Sequence, residues 1–125
     1  MRLVLLLTGL LAADAAFADE GMFFQDWTRT DTALMASALT ATAIDWGQTR
    51  TIARNPDRFH ESNPILGEHP SVSEVDRYFT LATIGIVGLS AVLPPRGRKW
   101  FLGGLTLVEV TAVISNHRMG IRAEF

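Results

Sequence analysis

Three apolar segments follow one another along the chain beyond its N-terminal run. The first covers residues 33–44 and carries no charge before Asp45, the second covers residues 79–93, and the third runs from Trp100 to about Ser115. Helices that are apolar on all faces lie in a protein core or in lipid. The pattern therefore predicts an all-α chain with three helices after the N-terminal run.

Capping residues and prolines predict where these helices begin and end. Thr30-Asp31-Thr32 offers N-cap oxygens to the first helix, and Ser71 with Glu74 fits a capping box for the second. Pro94-Pro95 ends the second helix, and a basic turn at 96–99 leads to the third. Residues 48–76 are predicted to form a polar loop.

The first eighteen residues have the pattern of a secretory signal peptide. A short, weakly positive start precedes the apolar run 3–13, and Ala16-Phe17-Ala18 is a small-x-small cleavage pattern. We expect cleavage after Ala18, which leaves residues 19–125 as a single helical domain. The alternative is a retained N-terminal helix, which would make four spans rather than three.

Composition indicates a membrane protein. Hydrophobic residues make up 48% of the chain and charged residues 19%, against about 25% charged in soluble domains. The expected architecture is a small helical membrane protein, a signal peptide plus three transmembrane helices. The alternative is a small soluble bundle, because the apolar segments are shorter than an ideal span. A net charge of −2 excludes a general nucleic-acid footprint, and the lack of cysteine excludes thiolate metal sites.

A signal peptide also predicts the orientation of the helices. The mature N-terminus would be periplasmic, the 48–76 loop cytoplasmic, the 96–99 turn outside and the C-terminus inside. Six arginines then lie inside, against three arginines and one lysine outside, which agrees weakly with the positive-inside rule. The basic turn at 96–99 argues against this orientation.

Two acidic residues in or beside the apolar helices are candidates for a polar site. Asp45 ends the first apolar segment, and Glu109 lies deep in the third. A carboxylate in lipid must be paired, protonated or directed at water. Glu109 would then be either an ion or proton site, or a structural hydrogen bond between helices. For Asp45, near the interface, the structural interpretation is favoured.

The polar loop adds further candidates for structural or polar-site roles. They are Gln48, Arg50, Glu61, Asn63 and His69. Glu61 is expected to pair with Arg50, Arg54 or Arg58, and Asn63-Pro64 favours an ordered turn. No catalytic constellation or closed set of metal ligands is recognisable, so we expect no metal, no cofactor and no enzymatic activity.

A spaced motif gives the chain one resemblance. It reads D-W-G-Q-T-R at 45–50, E-S-N-P-I-L-G-E-H-P-S at 61–71, and Tyr78-Phe79. It resembles a group of small predicted membrane proteins from proteobacterial and phage genomes, which share D-x-G-Q-T-R … E-x-N-P-[IL]-L-G-x-H-P-S … Y-F. The resemblance covers residues 45–79 and implies a membrane hairpin around a defined loop in the bacterial inner membrane. It implies no activity.

Three functions follow from these observations. The first is a non-enzymatic accessory subunit or helper that packs against a larger membrane complex, or against copies of itself, within the lipid bilayer. The second is a small intramembrane enzyme or ion- or proton-handling protein that uses Glu109, Asp45 and the Glu61 loop. The third, from the resemblance alone, is a phage-related membrane factor.

Overall fold

The computed structural model describes residues 21–125, which form three helices and no strand. Helix α1 covers Arg29–Arg54, α2 covers Val72–Val92 and α3 covers Pro95–Arg118. The predicted all-α class and the three helices are confirmed. The predicted signal peptide, residues 1–18, and its cleavage site lie outside the described residues.

Each helix begins at a residue that satisfies or removes its free N–H groups. Thr28 caps α1 in a capping box with Asp31, so α1 begins before the caps predicted at 30–32. The predicted capping box of Ser71 and Glu74 is confirmed at α2. Pro95 is the first residue of α3. Proline is favoured there because a backbone N–H at this position would have no partner within the helix.

Two polar stretches that were predicted as loop or turn, residues 48–54 and 96–99, are helical instead. Residues 48–54 continue α1, and residues 72–76 belong to α2, as the capping box at Ser71 predicts, so the loop covers only 55–71 rather than 48–76. α1 ends before Asn55, whose side-chain amide donates to the Thr51 carbonyl oxygen. Pro56 disfavours a helical backbone at Asn55, the residue that precedes it. The basic residues 96–99 form the first turn of α3, because a proline at the first position of a helix favours its start.

The helices pack as an up-down-up bundle with α1 at its centre. α1 packs against both α2 and α3, which contact each other less. Its small and apolar residues form the core with single side chains of α2 and α3: Met35, Ala38, Leu39, Ile86 and Leu102. Asp31 meets Arg98 at one end, and Asp45 meets Asn116 at the other. We call these the Asp31 end and the Asp45 end.

A buried ion pair closes the Asp31 end. Arg98 and Asp31 are both fully buried, and the guanidinium Nη1 lies 3.4 Å from Asp31 Oδ2. Arg98 also donates hydrogen bonds to the backbone oxygens of Gln25, Ser90 and Leu93. Its guanidinium stacks 4.8 Å over the Trp27 ring. One side chain thus joins the segment before α1 to α1, to the end of α2 and to the start of α3.

The same contacts hold Asp31 ionised. Burial opposes its charge, but hydrogen bonds from the Thr28 side chain and backbone, with Lys99 and Arg98 beside it, keep the pKa of Asp31 below its ordinary value. A lowered pKa contributes stability above the unfolded-state pKa of about 3.9, and that contribution is lost as the pH falls through the folded-state pKa.

We therefore expect acid to weaken the bundle partly through Asp31. The free energy of unfolding, followed by tryptophan fluorescence in detergent, should fall more steeply below about pH 4 in the wild type than in Asp31→Asn, whose amide does not titrate. The quantity to compare is the slope of the free energy of unfolding against pH, since the substitution also lowers stability at neutral pH. Equal slopes for the two proteins would contradict the assigned role.

Large apolar side chains remain exposed on the outside of α2 and α3. Leu81 and Ile84 on α2 are exposed by 62% and 63%, and Leu107 and Val108 on α3 by 70% and 64%. Among the described residues, α2 alone is long and apolar enough to cross a membrane. α1 and α3 carry more polar residues, several of which the structure uses in contacts between helices.

Candidate functional site

The predicted polar residues of α1 and α3 come together at the Asp45 end. Since α1 and α3 run parallel, Asp45 and Gln48, one turn apart, face Asn116 of α3. The Asn116 amide donates hydrogen bonds to Asp45 Oδ1 at 3.1 Å and to Gln48 Oε1 at 3.2 Å. Gln48 in turn donates to the backbone oxygens of Val113 and Ile121. This network joins α1 to the end of α3 and to the residues that follow α3.

Glu109 adds a second carboxyl group to this network. It lies about two helical turns before Asn116, and its carboxyl group lies within interaction distance of the Asp45 carboxyl group. Glu109 Oε2 is buried and has no hydrogen-bond donor from a nitrogen or hydroxyl group within residues 21–125. Two carboxyl groups hydrogen-bond each other only through a proton. Asp45 and Glu109 are therefore placed to share a proton, and we call them the carboxyl pair.

The loop after α1 is ordered by its own side chains. The Asn63 N–H donates to Glu61 Oε1 at 2.8 Å, and the Ile65 N–H donates to Asn63 Oδ1 at 3.0 Å. The Glu61 N–H pairs with the Glu68 carbonyl oxygen, and Gly67 takes a left-handed conformation with φ of 78°. Asn63 thus makes an Asx turn, and the loop's polar residues stabilise the loop itself.

Glu61 does not join this network, because its carboxylate accepts the Asn63 N–H within the loop. The expected ion pair of Glu61 with Arg50, Arg54 or Arg58 is wrong for the first two, because Arg50 pairs with Asp76 at 3.5 Å and Arg54 with Glu124 at 4.0 Å. α1 continues beyond residue 48, which points these arginines at α2 and at the C-terminus.

His69 contributes nothing to the network, because its side chain is exposed on the loop. His60, the other loop histidine, is exposed as well. In the part of the chain that the structure describes, no group of three or more His, Cys, Asp or Glu side chains is placed to hold a metal ion.

Trp46 of α1 packs against the first turns of α2. Its indole N–H donates to Asp76 Oδ1 at 2.8 Å, and its ring stacks on Phe79 with centroids 5.9 Å apart. Arg50 reaches the same Asp76 oxygen. Two residues of the 45–50 motif, together with Phe79 of its last element, thus serve helix packing.

Two other motif residues, Gly47 and Gln48, and the nearby Thr51 contact the end of the chain. Gly120, with φ of 80°, turns residues 120–125 back from α3 across α1. We call these residues the C-terminal strap. Gln48 and Thr51 donate to the carbonyl oxygens of Ile121 and Arg122, and the Glu124 N–H donates to the Gly47 carbonyl oxygen.

Gly47 is required by this close approach. A Cβ at residue 47 would lie 2.8 Å from the Ala123 Cβ and 2.9 Å from the Phe125 ring. Those distances are shorter than real Cβ contacts, so any larger residue displaces the strap. Sequence reasoning singled out Asp45, Gln48 and Arg50 but missed Trp46, Gly47 and Thr51. The glycine at 47 was the one local signal for them, since a glycine inside a helical segment can have a packing reason.

No protein-family model, curated protein or solved structure matches the chain.

Proposed function

We propose that the protein is a three-helix membrane protein that acts non-enzymatically, by packing against a larger membrane complex. The observation that supports this most is the band of exposed apolar side chains between the two polar ends. It comprises Leu81, Ile84, Leu89 and Val92 on α2, and Leu107, Val108, Val110 and Ile114 on α3. Large exposed apolar areas are typical of contact with lipid or protein.

Helix dimensions agree with this proposal. α2 has 21 residues, about 32 Å of helix, against a hydrocarbon thickness of about 30 Å. α1 is shielded from lipid on much of its surface by α2 and α3, so its polar ends contact protein rather than hydrocarbon.

The ion pairs of Asp31 weaken the main objection to the predicted orientation. The basic residues 96–99 argued for a cytoplasmic location of the Asp31 end. Arg98 and Lys99 both pair with Asp31, whose single negative charge offsets one of their two positive charges. The Asp45 end holds six arginines: Arg50, Arg54, Arg58, Arg77, Arg118 and Arg122. We therefore propose that the Asp45 end faces the cytoplasm.

Single cysteines test the proposed crossing, because the natural chain has none. Ser62 in the loop and Arg96 at the start of α3 are both exposed. We expect an impermeant maleimide to label Arg96→Cys in intact spheroplasts, and to label Ser62→Cys only after permeabilisation. Labelling of both residues from one side would contradict a crossing, and the reverse pattern would contradict the orientation.

Purification from the native host in mild detergent tests the packing role. A partner that remains in fixed stoichiometry is the expected result. A lone homo-oligomer would contradict an accessory role in a larger complex and favour the second candidate function.

The carboxyl pair supports that second candidate, proton handling. Asp45 of α1 and Glu109 of α3 are placed to share a proton between two helices. Acidic residues inside membrane bundles commonly mark proton or ion pathways. The packing role is preferred because the hydrogen bonds of Gln48 and Asn116 hold the pair inside a structural network.

A further inference from the structure

The C-terminal strap is held chiefly through its backbone. Two side-chain donors of α1, from Gln48 and Thr51, bind carbonyl oxygens of the strap at 3.4 Å and 2.6 Å. One strap N–H, from Glu124, binds the carbonyl oxygen of Gly47 at 3.1 Å. Since main-chain groups make these bonds, any extended peptide can make them. α1 thus presents donors and an acceptor in the arrangement that an extended segment requires.

Three side chains of the strap add selectivity. Ile121 is buried, with 1% of its surface exposed. Ala123 lies against Gly47, where a larger side chain would clash. Phe125 meets the edge of the Trp46 ring at a centroid distance of 6.4 Å. The surface therefore fits a segment with an aliphatic, a small and an aromatic residue at alternate positions.

The strap is weakly attached apart from these contacts. Residues 122–125 are exposed, and Gly120 connects the strap to α3 as a left-handed turn. Segments with few buried apolar contacts open at low free energy cost. Opening would uncover Gln48 and Thr51, which are buried beneath the strap.

We propose that Trp46, Gly47, Gln48 and Thr51 form a binding surface for an extended peptide segment of a partner protein, in competition with the strap. The partner segment carries the same aliphatic-x-small-x-aromatic pattern as the strap. The identity of this segment as part of a membrane partner rests on the proposed function. The surface itself rests on the contacts of the strap alone.

A labelled peptide of residues 119–125 tests the surface on the full-length chain in detergent. Ile121→Ser weakens the strap but leaves the surface unchanged. We expect this variant to bind the peptide at least about tenfold more tightly than the wild type, because a buried isoleucine holds the competing strap. Adding Gly47→Ala should abolish that gain. Adding Gly103→Ala, whose Cβ meets nothing within 4 Å, should preserve it.

A spin label at Glu124→Cys reports on the strap directly. The Glu124 side chain is more than half exposed, and the cysteine is unique. We expect an immobile label in the otherwise wild-type chain and in Gly103→Ala, and a mobile label in Ile121→Ser and Gly47→Ala. Gly47→Ala keeps the test decisive if Ile121→Ser fails to fold, since alanine favours the helix.

Two results would overturn the inference. One is a label that stays immobile in Gly47→Ala. The other is a mobile strap in Ile121→Ser without peptide binding. If either occurs while Ser62→Cys and Arg96→Cys still label from opposite sides, the peptide surface fails and the proposed membrane function stands.

Discussion

Arg98→Ala should lower the free energy of unfolding by about 3–5 kcal/mol, the usual cost of removing one partner of a buried ion pair. Asp31 would be left buried with Lys99 as its remaining cation, since Arg98 and Asp31 are both fully buried. Three backbone oxygens would also lose their donor. Denaturation in detergent, followed by the fluorescence of the adjoining Trp27, measures the loss.

Arg96→Ala is the matched control for this substitution. Arg96 lies in the same helical turn but is exposed, so its removal should change stability by no more than about 0.5 kcal/mol. Arg98→Lys should remain destabilising, because an ammonium group lacks the planar fork that reaches several acceptors at once. Equal stabilities of Arg98→Ala and Arg96→Ala would contradict the central role of Arg98.

The helices were predictable because their signals are local. The apolar runs, the capping box of Ser71 and Glu74, and the prolines at 94 and 95 act within a few residues. The same local rules misplaced the ends of α1 and α3. The polar residues 48–54 have no apolar pattern of their own, and contacts with α2, α3 and the strap accompany their helical form. At 96–99 the proline pair was interpreted only as the end of α2, although Pro95 also starts α3.

The site was predictable only in part. The sequence predicts that Glu109, an acidic residue in an apolar run, contacts a polar partner. It does not show which residue that partner is. The partner, Asp45, is 64 residues away in the sequence and was ranked as a hydrated interface residue. Arg98 was interpreted as part of an exposed turn. Nothing near it in the sequence reveals that Gln25, Asp31 and Ser90 converge on one guanidinium group.

The motif at 45–50 shows why pattern alone did not separate structure from function. Asp45 contacts α3, Trp46 and Arg50 contact α2, and Gly47 and Gln48 contact the strap. When a short helical segment contacts three other segments, packing limits which residue types can occupy most of its positions. A catalytic site limits residue types in the same way, so the motif alone does not distinguish the two.

Glu109→Ala and Glu109→Gln should separate the two functions proposed for the carboxyl pair. Alanine removes the group that meets Asp45, and the loss of a buried hydrogen-bond partner costs about 1–3 kcal/mol. Glutamine keeps the shape and supplies a permanent N–H donor to Asp45, so its stability should remain close to that of the wild type. Thermal unfolding in detergent measures both, with Val108→Ala, on the exposed side of α3, as the matched control.

Proton movement into vesicles that contain the purified protein, followed with a pH-sensitive dye, completes this test. A packing role predicts no flux above empty vesicles for any variant, and loss of the purified partner complex for alanine but not for glutamine. Proton handling predicts a flux in the wild type that both substitutions abolish, because neither residue carries an ionisable proton. Wild-type stability and complex formation in Glu109→Ala would show that the pair is not needed for packing. Together with zero flux in the wild type, that result would exclude both roles for Glu109.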